Sequence, residues 1–357
     1  MSKLKQLKRQ IRVNNFILCN ENAVFYECGY SCDNEIFLNL DSRAFFLTDA
    51  RYYFEALETL HGAEIICVNG SLIDSARKIL RSERVRELIF DPFDFSYMDF
   101  CELSKNLHVN FKPRPNFSKK KRMVKSEKEL EILRSAARFG ALKFDEFAKF
   151  LKECGAGKSE KELFFEAEIL LKNKGEFGLS FEPITALNKN AAKAHALPSD
   201  DTLKNADLIL VDAGIKFKRY CSDRTRTAIF DENINFKKSQ NFKNQKQQEI
   251  FEIVKEAQNL AIKAVKPGIK ACQIDKIARD FITENGFKEE FFHSTGHGVG
   301  LDIHELPNIS PKDDTILQKG MVFSIEPGIY LQNEFGVRIE DVVAVSDDGC
   351  EILSENV

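Results

Sequence analysis

Short runs of apolar residues, each about as long as a strand, punctuate the first third of the chain: Glu35-Ile36-Phe37-Leu38-Asn39-Leu40, Phe45-Phe46-Leu47 and Leu88-Ile89-Phe90. Stretches with apolar positions at helical spacing lie between them, from Tyr52 to Leu60 and from Leu72 to Leu80. The alternation from Asn22 to about Lys112 predicts a small α/β domain. From Lys112 to Lys125 the pattern breaks: Pro113 and Pro115 stand among seven basic residues with no acidic one. Without interleaved aromatics such a run reads as a solvated linker rather than a nucleic-acid contact. The domain boundary falls there, with an N-terminal domain over 1–122 and a second over 123–357.

Ser126-Glu127-Lys128-Glu129 is a capping box, in which the Ser hydroxyl and the Glu carboxylate satisfy each other's free backbone donors at a helix start. Ser159-Glu160-Lys161-Glu162 repeats the device. Each precedes a helical-period segment, 129–153 and 162–174. Strand-like runs dominate 206–230 and 320–345, so the second domain is α+β. Between Asp231 and Gln248 the sequence turns polar and rich in Asn, Lys and Gln, which predicts a surface excursion before a helix that begins near Gln247.

Composition narrows the picture. The 357 residues suit two domains of ordinary size, and 43% hydrophobic with 30% charged residues excludes a disordered chain. With 52 Lys+Arg against 55 Asp+Glu the formal net charge is -3, so no global field holds the chain on nucleic acid or an anionic membrane. No window approaches the ~18 apolar residues of a membrane span, and the basic start from Met1 to Arg12 leads only into Phe16-Ile17-Leu18-Cys19, too short for a signal peptide. Nine scattered cysteines with no C-x-x-C pair fit a reduced cytosol. The 31 Phe and absent Trp suggest no function.

Six histidines are present, and four of them (His195, His293, His297, His304) fall in the second domain beside Gly, Pro or acidic residues. The apolar strand Leu208-Ile209-Leu210-Val211 ends in Asp212, and Tyr220-Cys221-Ser222-Asp223 supplies a second acid that a hairpin brings close. The arrangement recurs at Val322-Phe323-Ser324-Ile325-Glu326 and Val337-Arg338-Ile339-Glu340-Asp341. Burying an isolated carboxylate costs several kcal/mol, so acids in such apolar strands are paired with cations or bind metal. For any one acid the pairing with Arg224, Arg226 or Arg338 is an adequate account. Four acids together with His297 in Gly296-His297-Gly298-Val299-Gly300 suit two divalent ions bridged by shared oxygens better.

Val211-Asp212-Ala213-Gly214, Ser222 to Thr227, His293 to Gly300, Ile303-His304-Glu305-Leu306-Pro307, Glu326-Pro327-Gly328-Ile329-Tyr330 and Val337 to Asp341 together resemble the aminopeptidase P and prolidase branch of the pita-bread metallopeptidases. The motifs stand in the expected order across most of the second domain. The resemblance implies a creatinase-like α/β N-terminal domain, of which Thr48-Asp49-Ala50-Arg51-Tyr52 is a weaker sign, followed by an α+β pita-bread catalytic domain. Methionine aminopeptidases generally lack such an N-terminal domain, and creatinase is not built around this metal set.

The resemblance further implies that Asp212 binds one ion, that Asp223 and Glu340 bridge both, and that His297 with Glu326 completes the other. A water shared by the ions would supply the attacking hydroxide. Glu326 would shuttle its proton to the leaving amine. His195, in Ala194-His195-Ala196-Leu197-Pro198, and His304 would donate hydrogen bonds to the substrate carbonyl and the tetrahedral intermediate, each worth roughly 3 kcal/mol if well aimed. His293 and Tyr330 would line the substrate pocket, and Arg338 would hold the bridging carboxylates from behind. Carboxylate-rich coordination favours a hard ion such as Mn²⁺, with Co²⁺, Zn²⁺ and Fe²⁺ as alternatives. The implied activity is release of the N-terminal residue before proline by a homodimeric enzyme, with peptides whose second residue is proline as substrates. The alternatives are an Xaa-Pro dipeptidase and a peptide-binding relative that has lost catalysis, although all five ligands are present.

Two positions depart from the family's pattern. Asn188-Lys189-Asn190-Ala191-Ala192 stands where a Gly often precedes the Asn-Ala-Ala, and Asn tolerates positive φ. Arg224 replaces the usual aliphatic residue after Asp223, and strand alternation allows it to point away. A nucleotide-binding module is disfavoured because Gly296-x-Gly298-x-Gly300 lacks the G-x-G-x-x-G spacing and the buried strand before it. A nucleophilic hydrolase is disfavoured by the absence of G-x-S-x-G.

Overall fold

The apolar runs of the N-terminal third line up as neighbours in one six-stranded sheet. In the computed structural model, which describes residues 15–41 and 43–354, the chain divides into two compact units, Met1–Arg122 and Met123–Val357. The basic start from Met1 to Arg12 lies outside the described residues. The first unit comprises β1 (Asn15–Leu18), α1 (Glu21–Cys28), β2 (Glu35–Leu40), β3 (Arg43–Thr48), α2 (Tyr53–Thr59), β4 (Glu64–Cys67), α3 (Leu72–Ser82), β5 (Glu87–Phe90), α4 (Tyr97–Ser104), β6 (Asn110–Pro113) and the short α5 (Phe117–Arg122). Strand order is β4-β3-β2-β1-β5-β6, with β2 antiparallel to both β1 and β3 and the β3–β4, β1–β5 and β5–β6 pairings parallel.

Alternate residues of its central strands enter two separate cores. Ile17, Ile36, Leu38 and Leu47 pack with Ala76 and Leu80 of α3 and Leu103 of α4, whereas Phe16, Leu18, Phe37 and Phe46 pack with Val24 of α1, Ala56 of α2 and Phe117. Burial on both faces explains why these strands read as continuous apolar runs rather than alternating ones.

The expected solvated linker at 112–125 is corrected here. Lys112 and Pro113 belong to the edge strand β6, where proline's missing donor is tolerated. Phe117 and Arg122 of α5 are buried, with Arg122 Nη1 donating to Ser118 Oγ at 2.9 Å. Lys125 is buried against Glu305 at 3.0 Å. Three apolar or pairable side chains in the run outweigh its net charge.

The second unit opens with α6 (Glu127–Phe150), which runs into a π turn at Leu151–Gly155, and α7 (Glu160–Lys172); both capping boxes form. There follow β7 (Gly178–Leu179), β8 (Ile184–Leu187), β9 (Leu208–Ala213), β10 (Ile215–Phe217), β11 (Tyr220–Cys221), β12 (Arg224–Ile229), α8 (Gln245–Ala264) and α9 (Ala271–Glu284). The last elements are β13 (Gly296–Gly298), β14 (Glu305–Ile309), β15 (Val322–Ile325), β16 (Gly328–Leu331), β17 (Phe335–Arg338), β18 (Asp341–Val345) and β19 (Cys350–Ile352). No helix among the described residues is long and apolar enough to cross a membrane.

One design appears twice in this unit. β9 pairs antiparallel with β12 around the nested hairpin β10-β11, and β15 pairs antiparallel with β18 around the nested hairpin β16-β17. The first pair packs under α6 and α7, the second under α8 and α9.

The polar excursion after β12 contains no regular element from 231 to 244. It is not confined to the surface, however. Ile234, Phe236 and Phe242 are buried, and the Phe236 ring meets Phe144 edge-on at 5.4 Å and stacks on Phe147 at 6.1 Å. Three aromatic or branched anchors spaced among polar residues hold a segment whose composition alone suggests solvent.

Candidate active site

The acids sit where the chain leaves each outer strand pair for its nested hairpin. Asp212 is opposite Thr225 in the β9–β12 ladder, and Asp223 immediately precedes β12. Glu326 and Glu340 flank the β15–β18 pair in the same way, beyond the Ile325–Asp341 rung. The two halves are stitched together at the acids themselves: Glu340 N donates to Thr225 O at 3.0 Å, and Arg226 Nη1 donates to Thr225 O at 2.9 Å and to Glu340 O. As a result, one ligand atom each of Asp223, His297 and Glu340 falls within 4.8 Å of the others.

His297 comes from β13, which squeezes between β14 and β15. A Cβ on Gly296 would stand 1.9 Å from Ser324 O, and one on Gly298 2.4 Å from Leu306 O, so glycine is needed for the strand to approach. His297 Nδ1 lies 3.1 Å from Gly298 O and therefore donates to it, which points Nε2 at Glu326 Oε1 (3.2 Å) and Asp223 Oδ2 (3.5 Å). Ser324 Oγ accepts from His297 N at 3.1 Å and donates to Glu326 Oε1 at 3.0 Å. Glu326 N in turn donates to Thr295 O at 2.7 Å, so Glu326 and His297 are fixed to one another by backbone as well as side chain.

Four carboxylates share few cations. Arg338 Nη2 donates to Asp212 Oδ2 at 2.6 Å, but Arg226 is spent on Asp341 at 2.7 Å. Arg224 turns away over the Phe144 ring, 5.5 Å from its centroid. Burial, followed by repulsion from Glu340, Asp212 and Glu326, holds the Asp223 carboxyl well above the usual range. Burial, with Glu326 and Asp212, does the same to Glu340. Asp212 is also raised, by burial first, against the pull of Arg338.

Burial opposes charge on His297 too, yet the Glu326 hydrogen bond and the surrounding carboxylates push the imidazole up to about 9. Glu326 is likewise opposed by burial but is held down at about 2 by His297. A positive charge is thus favoured at the centre of the cluster. Two buried oxygens of its carboxylates, Asp212 Oδ1 and Glu340 Oε1, accept no hydrogen bond. Such orphans cost about 1–3 kcal/mol apiece unless something satisfies them, and hard divalent cations fit this donor set.

The remaining predicted residues surround the cluster. The His304 ring stacks edge-on at 4.4 Å from His297 and is exposed, as is His195. His293 Nδ1 donates to Ser294 O at 2.7 Å, so its Nε2 accepts from the Tyr330 hydroxyl at 3.0 Å. That hydroxyl accepts from Arg338 Nη1 at 2.8 Å. Burial lowers the His293 pKa, which keeps the ring neutral. The Tyr330 ring is buried, whereas Phe292 beside it at 5.2 Å is exposed.

Metallopeptidase family M24 is the family whose model matches residues 131–347. The chain belongs to that family. It is 38% identical over 328 residues to an Xaa-Pro dipeptidase of Pyrococcus furiosus, covering 85% of this chain and 90% of that one. Its fold is similar to that of an Xaa-Pro dipeptidase from Bacillus anthracis, with TM-score 0.89, 32% identity and coverage of 99% and 96% of the two chains. It is similar also to an X-Pro aminopeptidase from Thermotoga maritima, with TM-score 0.85, 31% identity and coverage of 99% and 98%. The doubled strand pair with its helices is accordingly the pita-bread fold, and in sequence it follows an α/β N-terminal domain.

Several side chains that serve the site of this M24 peptidase went unread in the sequence. Thr225 Oγ1 donates to Glu340 Oε2 at 2.7 Å and accepts from Arg338 Nε at 3.1 Å. Gln258 of α8 donates to Ile325 O (3.1 Å), Ile339 O (3.2 Å) and Asp341 Oδ2 (3.1 Å), spanning the strand ends that bear Glu326 and Glu340. Asp275 Oδ1 accepts from Thr295 N and Oγ1, and Arg279 donates to the carbonyls of Phe291 and His293. Thr225, Arg226 and Asp341 lay inside the quoted motifs, where a polar residue within an apolar strand was the available signal. Gln258 and Asp275 offered none, since a polar residue on an amphipathic helix is ordinary.

Proposed function

We propose that this M24 metallopeptidase removes the N-terminal residue from peptides whose second residue is proline. The observation that carries the reading is the group Asp212, Asp223, His297, Glu326 and Glu340, buried or half-buried, with its two unsatisfied buried oxygens and its deficit of cations. Asp212 would hold one divalent ion, Asp223 and Glu340 would be shared between two, and His297 with Glu326 would complete the second; the hard donor set favours Mn²⁺. Such ions lower the pKa of a shared water towards neutrality and polarise the scissile carbonyl.

The chain's own residues supply the rest. Glu326 Oε1, oriented by Ser324, takes the proton of the attacking water and returns it to the leaving proline nitrogen. That nitrogen belongs to a tertiary amide with no hydrogen and fixed φ, which backbone-gripping peptidases reject and a site working on the carbonyl accepts. His195 and His304 donate to the carbonyl oxygen as it gains charge. His293 and Tyr330 form a pocket wall whose polar atoms are already engaged, leaving ring surface for the proline. Arg338 fixes Asp212 directly and Glu340 through Thr225. The nine free cysteines support a reducing compartment, and the enzyme is expected to be a homodimer.

A second reading, an Xaa-Pro dipeptidase, is favoured by the names of the Pyrococcus and Bacillus relatives. The deciding experiment gives the Mn²⁺-supplied enzyme Xaa-Pro dipeptides, Xaa-Pro-Xaa tripeptides and Met-Ala-Xaa tripeptides in parallel, each also with chelator. Cleavage confined to dipeptides moves the assignment to the dipeptidase. Preferential release of Met from Met-Ala-Xaa overturns the proline reading, and chelator-resistant cleavage overturns the metal one.

A further inference from the structure

Glu160 is fully buried, with no exposed surface, and takes no part in the cluster described above. A carboxylate in that position costs several kcal/mol unless it is compensated. Among the described residues no lysine, arginine or histidine forms an ion pair with it. Its compensation is three N–H donors: Leu187 N to Oε1 at 2.6 Å, and Asn190 Nδ2 at 2.7 Å and Ser199 N at 2.6 Å to Oε2. It also occupies the first position of α7, where the helix dipole favours an anion.

All three donors belong to the segment that carries His195. Leu187 ends β8, Asn190 lies in the 3-10 turn Asn188–Ala192, and Ser199 follows Pro198. The downstream arm is zipped to the start of α7 in any case, because Glu160 N donates to Asp201 O at 3.0 Å and Leu203 N to Lys158 O at 2.9 Å. The upstream arm is held to the helix through the Glu160 carboxylate. Asn190 closes the loop on itself: its Nδ2 also donates to Leu197 O at 2.9 Å, and its Oδ1 accepts from Lys193 Nζ at 2.9 Å. Arg338 Nη1, from β17, donates to Ala194 O at 3.1 Å, one residue before His195. His195 is an exposed residue of a segment held by two separate elements.

We propose that Glu160, acting through Asn190 and the backbone of Leu187 and Ser199, is a positioning residue that holds His195 where it meets the substrate carbonyl. The proposal rests on the assignment of His195 made above. A hydrogen-bond donor contributes to catalysis only if it is already aimed where charge will develop, and a displacement of about 1 Å costs up to 10²-fold. A buried anion bonded to both arms of a loop supplies that aim at the expense of desolvation.

Glu160→Gln keeps the shape but turns an NH₂ towards N–H groups that need an acceptor. Asn190→Ala is the milder companion, since it leaves the two backbone donors to Glu160 intact. On an Xaa-Pro-Xaa tripeptide with metal supplied, Glu160→Gln is expected to lower kcat about tenfold, with unchanged metal content and a smaller change in KM. Hydrogen exchange of the 187–199 segment should quicken in both variants. In a His195→Ala background, adding Glu160→Gln should cost little more, because the residue it positions is gone. Multiplicative losses in the double variant, or exchange over 187–199 that stays at the unsubstituted rate, overturn the tether. If His195→Ala alone retains full kcat, the assignment of His195 fails instead, and exchange then decides whether Glu160 holds the loop.

Discussion

Adjacent residues in this site have opposite energetic roles, and Glu340 and Asp341 show it best. Asp341 is satisfied from every side, by Arg226 Nη2 (2.7 Å) and Ser354 Oγ (2.9 Å) on Oδ1 and by Lys238 and Gln258 on Oδ2. Glu340 has one unsatisfied oxygen, and Glu326 and Asp212 repel its charge. In chelator, Glu340→Gln should therefore be at least as stable as the unsubstituted protein while it loses bound metal and activity. Asp341→Asn strands two cations, one of them buried, and should cost about 3 kcal/mol, read as a lower urea midpoint at unchanged slope. A Glu340→Gln protein that is markedly less stable in chelator would show that its charge is compensated after all. His195 and His304 are assigned to hydrogen bonding and not to ligation, so replacing either with Ala should lower kcat about 10²-fold while metal stoichiometry stays constant. Loss of an ion from either variant would make that histidine a ligand.

At the scale of elements, patterning located the secondary structure well wherever burial was one-sided or complete. The paired strands around Asp212–Asp223 and Glu326–Glu340 follow from apolar runs ending in acids, and the α6 and α7 starts follow from their capping boxes. Asn188 does take φ 42, as its tolerance for that region suggests, and Arg224 does point away from the acids. What the sequence concealed was long-range. Net charge hid the burial of Arg122 and of Lys125, whose partner Glu305 lies 180 residues away, and low complexity hid the anchors of the 231–244 segment. Those anchors make a prediction: Phe236→Ala should destabilise by about 3–5 kcal/mol, as loss of a packed aromatic does, where a surface loop would lose almost nothing. The urea midpoint measures it. A change under about 0.5 kcal/mol would return the segment to the surface.

At the scale of the molecule, stability and chemistry are divided between units with separate cores. Ile17, Leu38, Phe46 and their partners lie wholly within residues 1–122, and the cores around Phe251, Phe323 and Phe144 wholly within 123–357. Every candidate ligand, from Asp212 to Glu340, belongs to the second unit. A cation bound there stabilises only what contains it, by RT ln(1 + [L]/Kd), or about 2.7 kcal/mol at a hundredfold excess over Kd. The ion also relieves repulsion among four buried or half-buried acids, so its removal should be felt beyond activity. Calorimetry of the whole chain with Mn²⁺ and with chelator tests this. The transition of the second unit should move down on chelation and return on adding Mn²⁺, while that of the first stays in place. Amide exchange can assign the two transitions, since β1 to β6 and β9 to β18 give separate peptides. If chelation shifted both transitions equally, the units would melt as one cooperative body. If it shifted neither, the unsatisfied oxygens of Asp212 and Glu340 would not mark a cation site, and the proposed chemistry would lose its physical basis.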